Sequence, residues 1–245
     1  MSRRSKKRII VTGIAGRLGR LVAKRLHRVT NHTVVGIDRR PIRDLPKDIE
    51  HVQVDIRSRR VREVFRAGPV DAFIHMGLMH DFRKSSEEHH SWNVAGTSRL
   101  LEHAADFNVR KVIFLSSSNV YGPRPENPQF LTEDAPLMAS LDFPAIRDLI
   151  EADMQTTSFF WKAGGQDIET VILRPVHILG SVQNAPSKYL RLKRIPQVMG
   201  YDPMVQVIHE QDMADAIVSA LKPGIRGVFY ISGPGEYPLS VLVKE

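Results

Sequence analysis

Gly13, Gly16 and Gly19 punctuate the run Val11-Thr12-Gly13-Ile14-Ala15-Gly16-Arg17-Leu18-Gly19, directly after an apolar stretch that begins at Arg8. A strand, a glycine-bearing turn and a helix, in that order, present backbone N–H groups to a diphosphate. The first glycine permits the sharp turn, the second the close approach of backbone to ligand, and the third the packing of helix on sheet. The positive end of the helix dipole then faces the anion. Gly13, Gly16, Arg17, Leu18 and Gly19 are therefore the predicted phosphate cradle. Asp38 closes the next apolar run about twenty residues further on, where a carboxylate accepts both ribose hydroxyls of an adenosine and repels a 2′-phosphate. That favours NAD. Arg39 and Arg40 follow at once and could clamp such a phosphate, which keeps NADP open. Asp55 and Ile56, after a third apolar run, are placed to border the adenine, although an aspartate there equally well caps the next helix.

The elements that must position these residues alternate along the chain. Apolar runs at 32–38, 51–55, 70–76, 111–116 and 168–174 read as strands, and helical patterns cover 18–27, 57–67, 91–107 and 145–163. Strands that are apolar throughout and separated by helices indicate an α/β chain with a parallel sheet covered on both faces. Residues 1–7 form a basic tail and 8–175 a dinucleotide-binding domain. Residues 176–245 are a mixed segment: 176–206 read as irregular loop, followed by a helix at 211–221 and a last strand at 227–232.

Composition narrows the function classes. With 42% hydrophobic and 25% charged residues the 245-residue chain is an ordinary globular one, and no apolar run approaches the ~18 residues of a membrane span. The basic start is not followed by the apolar core of a secretory signal. Zero cysteines exclude disulfide and thiolate chemistry and fit a reducing, cytoplasmic setting. The net charge of +8 is concentrated in the tail (Arg3, Arg4, Lys6, Lys7, Arg8) and in Arg57, Arg59, Arg60, Arg62 and Arg66, read as one solvated helix face rather than a nucleic-acid site. His75, His89, His90 and His103 show no ligand spacing, so no metal site is expected.

Seven segments in register resemble the extended short-chain dehydrogenase/reductases of the NAD-dependent epimerase/dehydratase type. Thr12 to Gly19 resembles that family's TGxxGxxG turn, Asp55-Ile56 its adenine contact, and His75-Met76-Gly77 its segment beside the cofactor. Asn93 to Thr97 is similar to its NxxGT helix, Ser116 to Gly122 to its SSxxVYG strand end, Leu173-Arg174-Pro175 to its LRP, and His209 to Ala214 to its HVxDVA. The resemblance spans residues 8 to about 242. It implies a Rossmann-type doubly wound sheet with a small, truncated C-terminal substrate-side region. It also implies that Met76, Gly77, Asn93, Ser116 and Pro175 line the cofactor, that the substrate is a nucleotide-sugar or other carbonyl compound, and that helices near 91–107 and 145–163 could form a homodimer face.

One departure bears on chemistry. The family's proton donor is a Tyr-x-x-x-Lys pair on the helix after SSxxVYG, where the lysine holds the ribose and lowers the tyrosine's pKa from ~10. The register set by Arg147-Asp148 puts Ala145 and Leu149 at those positions, and sliding by two gives Phe143 and Arg147. Tyr189 and Lys193 do show the spacing, but in the irregular segment, where so short a pattern recurs by chance. Ser117 occupies the place of the hydroxyl that binds the reacting oxygen, and it equally well satisfies local backbone. His177 and His80 are the nearest substitutes for the missing acid/base. The expectation is a dinucleotide-binding protein with weak, altered or absent oxidoreductase activity. An active enzyme using His177 or His80, and a regulatory or scaffold protein, are the alternatives.

Overall fold

The computed structural model describes residues 7–29, 32–43, 45–80, 83–128, 130–139, 146–163 and 168–244. Most of the basic tail, Phe143 and Ala145 lie outside them. In chain order the elements are β1 (Arg8–Thr12), α1 (Arg17–Val29), β2 (Thr33–Asp38), β3 (Glu50–Gln53), α2 (Arg60–Arg66), β4 (Ala72–His75), α3 (Ser86–His90), α4 (Gly96–Asp106), β5 (Lys111–Leu115), α5 (Arg147–Ala163) and β6 (Glu169–Pro175). Then follow β7 (His177–Leu179), α6 (Ala185–Leu190), β8 (Met204–Val205), β9 (Val207–His209), α7 (Glu210–Ser219), β10 (Gly227–Ile231), β11 (Tyr237–Pro238) and α8 (Leu239–Lys244).

Seven strands form a parallel sheet in the order β10-β6-β5-β4-β1-β2-β3. Because neighbouring side chains on a strand point to opposite faces, Ile9 and Val11 of β1 join a core with α1 and α7. Ile10 joins a second core with α2 and α4. The inner strands are apolar through their middles (Ile9–Val11, Val112–Phe114, Val171–Leu173), whereas the edge strand β3 reads Glu50-His51-Val52-Gln53 and carries no buried residue. β1 lies between β2 and β4, so the chain reverses its winding there, and the crevice above the carboxyl ends of β1 and β4 is the topological switch point. The doubly wound expectation holds. Among the described residues no helix is long and apolar enough to cross a membrane.

Three readings of the sequence need correction. The segment 176–206 is not all loop: β7 pairs with β9, β8 with β11, and α6 forms between them. Asn184 caps α6 by accepting from the Ser187 N–H, and Pro186 sits in its first turn, so the local start signal was present. Second, the helix predicted over 91–107 begins earlier, at Ser86, and Ser91–Ala95 is a π-helical turn joining α3 to α4. Such a turn carries an extra residue and is frequent at functional sites. Third, α2 starts at Arg60, so Arg57 and Arg59 are not on a helix face.

Lys111, at the start of β5, is buried. Its ammonium donates to the carbonyls of Ala220, Lys222 and Ile225 and pairs with Glu169 at 2.8 Å. It thereby satisfies the carbonyl groups left open beyond the end of α7.

Candidate dinucleotide site

The glycine turn sits in the switch-point crevice. Gly13 has φ +76°, and a Cβ there would lie 2.8 Å from Gly77 Cα and 2.8 Å from the Met76 carbonyl oxygen. Only glycine lets the β1 and β4 loops touch. A Cβ at Gly19 would meet the Gly13 carbonyl oxygen at 2.2 Å, which fixes α1 against the turn. The first helical hydrogen bond runs from Arg20 N–H to the Gly16 carbonyl at 2.9 Å. The N–H groups of Arg17, Leu18 and Gly19 precede it and have no carbonyl within the helix to receive them. They are the donor set a diphosphate needs, so the cradle fits NAD.

Asp38 is buried at the end of β2. One carboxylate oxygen accepts from Ala15 N–H at 3.1 Å and the other from Arg40 N–H at 2.9 Å, which fixes its orientation. The Arg40 side chain closes on both oxygens at 3.1 and 3.0 Å, and the hydrogen bond to Asp38 raises its pKa. With its side chain 58% exposed, Arg40 can leave cheaply when ribose hydroxyls arrive. Next to it, the guanidinium groups of Arg39 and Arg57 lie 4.7 and 5.1 Å from the centre of the Trp92 ring. Arg57 also holds Asp55 through its backbone N–H and side chain, at 2.7 to 3.0 Å. Burial works to raise the Asp55 pKa, but the Arg57 hydrogen bonds and charge, with Arg39, keep it below the usual carboxylate range. Ile56 is buried, against Gly96 of α4.

The π turn braces the other wall. Trp92 Nε1 donates to the Gly77 carbonyl at 2.6 Å, and the Asn93 amide clamps Met79 through its N–H (2.7 Å) and carbonyl (3.0 Å). Asn93 therefore holds the loop beside the cradle. His75 is fully buried between the hydroxyls of Thr12 (2.7 Å) and Thr97 (2.9 Å), tying β1, β4 and α4 together. Burial lowers its pKa from 6.5 to about 3. An unfolded chain therefore takes up a proton that the folded one refuses. Stability from this residue is complete above pH 6.5 and is lost as pH falls toward about 3. Urea unfolding across that window should show a shallower pH slope for His75→Gln than for the parent; equal slopes would contradict this role.

Above β5 and β6 lies a second buried network. The Ser116 hydroxyl donates to Asp153 at 2.5 Å, and Asp153 accepts from Arg174 at 3.0 and 2.7 Å. Arg174 reaches on to the Tyr121 hydroxyl and the Glu133 carbonyl, both at 2.8 Å. Burial works to lower the Arg174 pKa, but the hydrogen bonds and charge of Asp153 leave it raised, whereas burial raises that of Tyr121 against the Arg174 hydrogen bond. Ser116 is thus committed to α5. Ser117 is partly exposed and its oxygen accepts from Asn119 N–H at 3.2 Å, leaving its own proton free to donate. Pro175 is buried at the end of β6. His177, two residues on, is partly buried and its pKa is lowered by that burial. His80 is exposed. Tyr189 donates to the Pro196 carbonyl at 2.6 Å, and Lys193 lies past the end of α6, so that pair shares no helix face.

Trp92, Arg57, Asp153 and Tyr121 were missed as site-forming residues. Arg57 read as a solvated charge because Ser91 and Trp92 reach it from a distant segment, although Asp55 is only two residues away.

The family model described as "NAD dependent epimerase/dehydratase family" matches residues 9–230. An uncharacterized protein of Mycobacterium tuberculosis is 28% identical over 98% of this chain, which spans 65% of that relative's length. Among solved structures, dTDP-glucose 4,6-dehydratase from Bacillus anthracis in complex with NAD superposes with TM-score 0.80 and 22% identity, covering 97% of this chain and 79% of that one. UDP-N-acetylglucosamine 4-epimerase from Methanobrevibacter ruminantium, in complex with UDP-N-acetylmuramic acid, gives 0.81 and 19%, covering 98% and 80%. With the model matching nearly the whole chain over this fold and this glycine turn, the protein belongs to the NAD-dependent epimerase/dehydratase family.

Proposed function

We propose that the chain binds NAD through the Gly13–Gly19 turn and Asp38, and that its oxidoreductase activity on a nucleotide-sugar or related carbonyl substrate is weak, altered or absent. Bound NAD would supply the hydride acceptor; the chain supplies the cradle, the ribose carboxylate and Ser117. The observation that carries the reading is Leu149. At the position where the family resemblance places the lysine, it is buried in an apolar cluster with Val120, Tyr121, Ala139 and Ile150. No ammonium is available there to hold a ribose or depress a phenol's pKa. Loss of a positioned acid/base costs about 10²–10⁴ in rate.

Calorimetry with NAD and NADP tests the cradle, and single-turnover absorbance with bound NADH and UDP- or dTDP-sugars tests the chemistry. Binding without turnover is the expected result and is the behaviour of a sensor or scaffold. Absence of binding to either dinucleotide would sink the reading. Asp38→Ala should weaken NAD about tenfold and narrow the preference over NADP, since two charge-assisted hydrogen bonds disappear and the 2′-phosphate is no longer repelled.

A second reading has one observation behind it. The His177 imidazole is held neutral by partial burial, follows Pro175 at the carboxyl end of β6, and among the described residues makes no hydrogen bond. A neutral imidazole can take a proton from a carbinol. Under this reading turnover is substantial and His177→Ala abolishes it.

A further inference from the structure

His90 ends α3 and faces the first two turns of α5. Its Nδ1 lies 3.5 Å from Asp148 Oδ1 and 3.9 Å from Glu151 Oε2, and one ligand atom from each residue falls within 4.8 Å of the others. Asp148 and Glu151 stand three apart on a helix, hence on one face. The Asp148 side chain is only 9% exposed, and its Oδ1, the oxygen turned toward His90, has no hydrogen-bond partner among the described residues. A carboxylate oxygen withdrawn from water calls for a cation or a donor. The Arg147 guanidinium is 3.8 Å from that oxygen, with its side chain 60% exposed, and does not close to hydrogen-bonding distance.

We propose that His90, Asp148 and Glu151 bind a divalent transition-metal ion of the zinc, cobalt or manganese type. Four ligands at ~2.1 Å around a tetrahedral ion stand about 3.4 Å apart. The separations of 3.5 and 3.9 Å therefore need only a small rotation of His90 and Glu151, whose side chains are 50% and 44% exposed. One imidazole nitrogen with two carboxylate oxygens suits these ions. Calcium and magnesium prefer all-oxygen sites, and copper(I) prefers sulfur. Water fills the remaining positions.

The ion ties α3 to α5. The π turn that begins immediately after His90 carries Trp92 and Asn93, which hold Gly77 and Met79 beside the cradle. Metal binding therefore braces one wall of the dinucleotide crevice. The chain shows no metal-binding spacing because the ligands come from two separated helices.

The test uses full-length, tag-free protein stripped with a chelator, then titrated with Co²⁺ by absorption and with Zn²⁺ by calorimetry. One ion per chain, ligand-field bands of low-coordinate Co²⁺ and a rise in melting temperature are expected. His90→Gln and Glu151→Gln should each weaken binding about 10- to 100-fold, with unchanged far-UV circular dichroism. Both ligands are half exposed, so neither variant threatens the fold. Absence of binding overturns the proposal. Binding that both variants leave intact overturns it as well, since the ion then sits elsewhere.

Discussion

Asp153→Ala should cost about 3–5 kcal/mol of folding stability, the range for stranding one partner of a buried ion pair. Asp153 is fully buried and Arg174 is 4% exposed. Among the described residues, removing the carboxylate leaves the guanidinium with only the Tyr121 hydroxyl and the Glu133 carbonyl, both neutral. The Ser116 hydroxyl loses its acceptor at the same time. Urea unfolding of parent and variant measures the difference. Adding Arg174→Met to the variant should recover much of it, because the cost lies in the unpaired charge rather than in the lost attraction. A loss below about 1 kcal/mol would mean that water reaches the site. The network joins the carboxyl ends of β5 and β6 to α5, so the variant should also loosen the place where Ser117 stands.

On the proposed reading, installing a Tyr-x-x-x-Lys pair with Ala145→Tyr and Leu149→Lys should raise single-turnover reduction of a nucleotide-sugar substrate by about 10²–10⁴-fold, the usual worth of a positioned acid/base. Neither substitution alone should achieve this. A phenol without a neighbouring cation keeps its pKa near ~10, and a lysine without the phenol has no proton to relay. Leu149→Lys places an ammonium among Val120, Tyr121, Ala139 and Ile150, so a lower melting temperature should accompany the gain. If the parent protein already turns over at ordinary rates, the proposed loss of activity is wrong and His177 becomes the residue to test.

The Gly13–Gly19 turn was legible because its chemistry is local. Strand, turn and helix are consecutive in the chain, and each glycine answers to a neighbour that is near in sequence or one strand away. The sheet was legible for a similar reason: strands buried on both faces must be continuously apolar. The residues that were misjudged depend on distant partners. Arg57 looked like a solvated cation until Ser91 and Trp92 closed on it from a distant segment. Lys111, at the start of an apolar run, has a place in the fold only because the end of α7 supplies three carbonyls. The strands within 176–206 are two or three residues long, too short for a period to show, and they exist because β7 meets β9 and β8 meets β11.

By itself, then, the chain determined the alternation of apolar strands and helices, the glycine turn and the carboxylate of Asp38 at the end of the second strand. All of these are matters of residue type and short spacing. Tertiary structure alone decided that Arg40 covers Asp38, that Ser116 serves Asp153 while Ser117 keeps a free proton, and that His90 meets Asp148 and Glu151. Those outcomes depend on burial and on pairing across separate elements. A polar group's role is set by what remains beside it once water is excluded, and no single stretch of sequence records that.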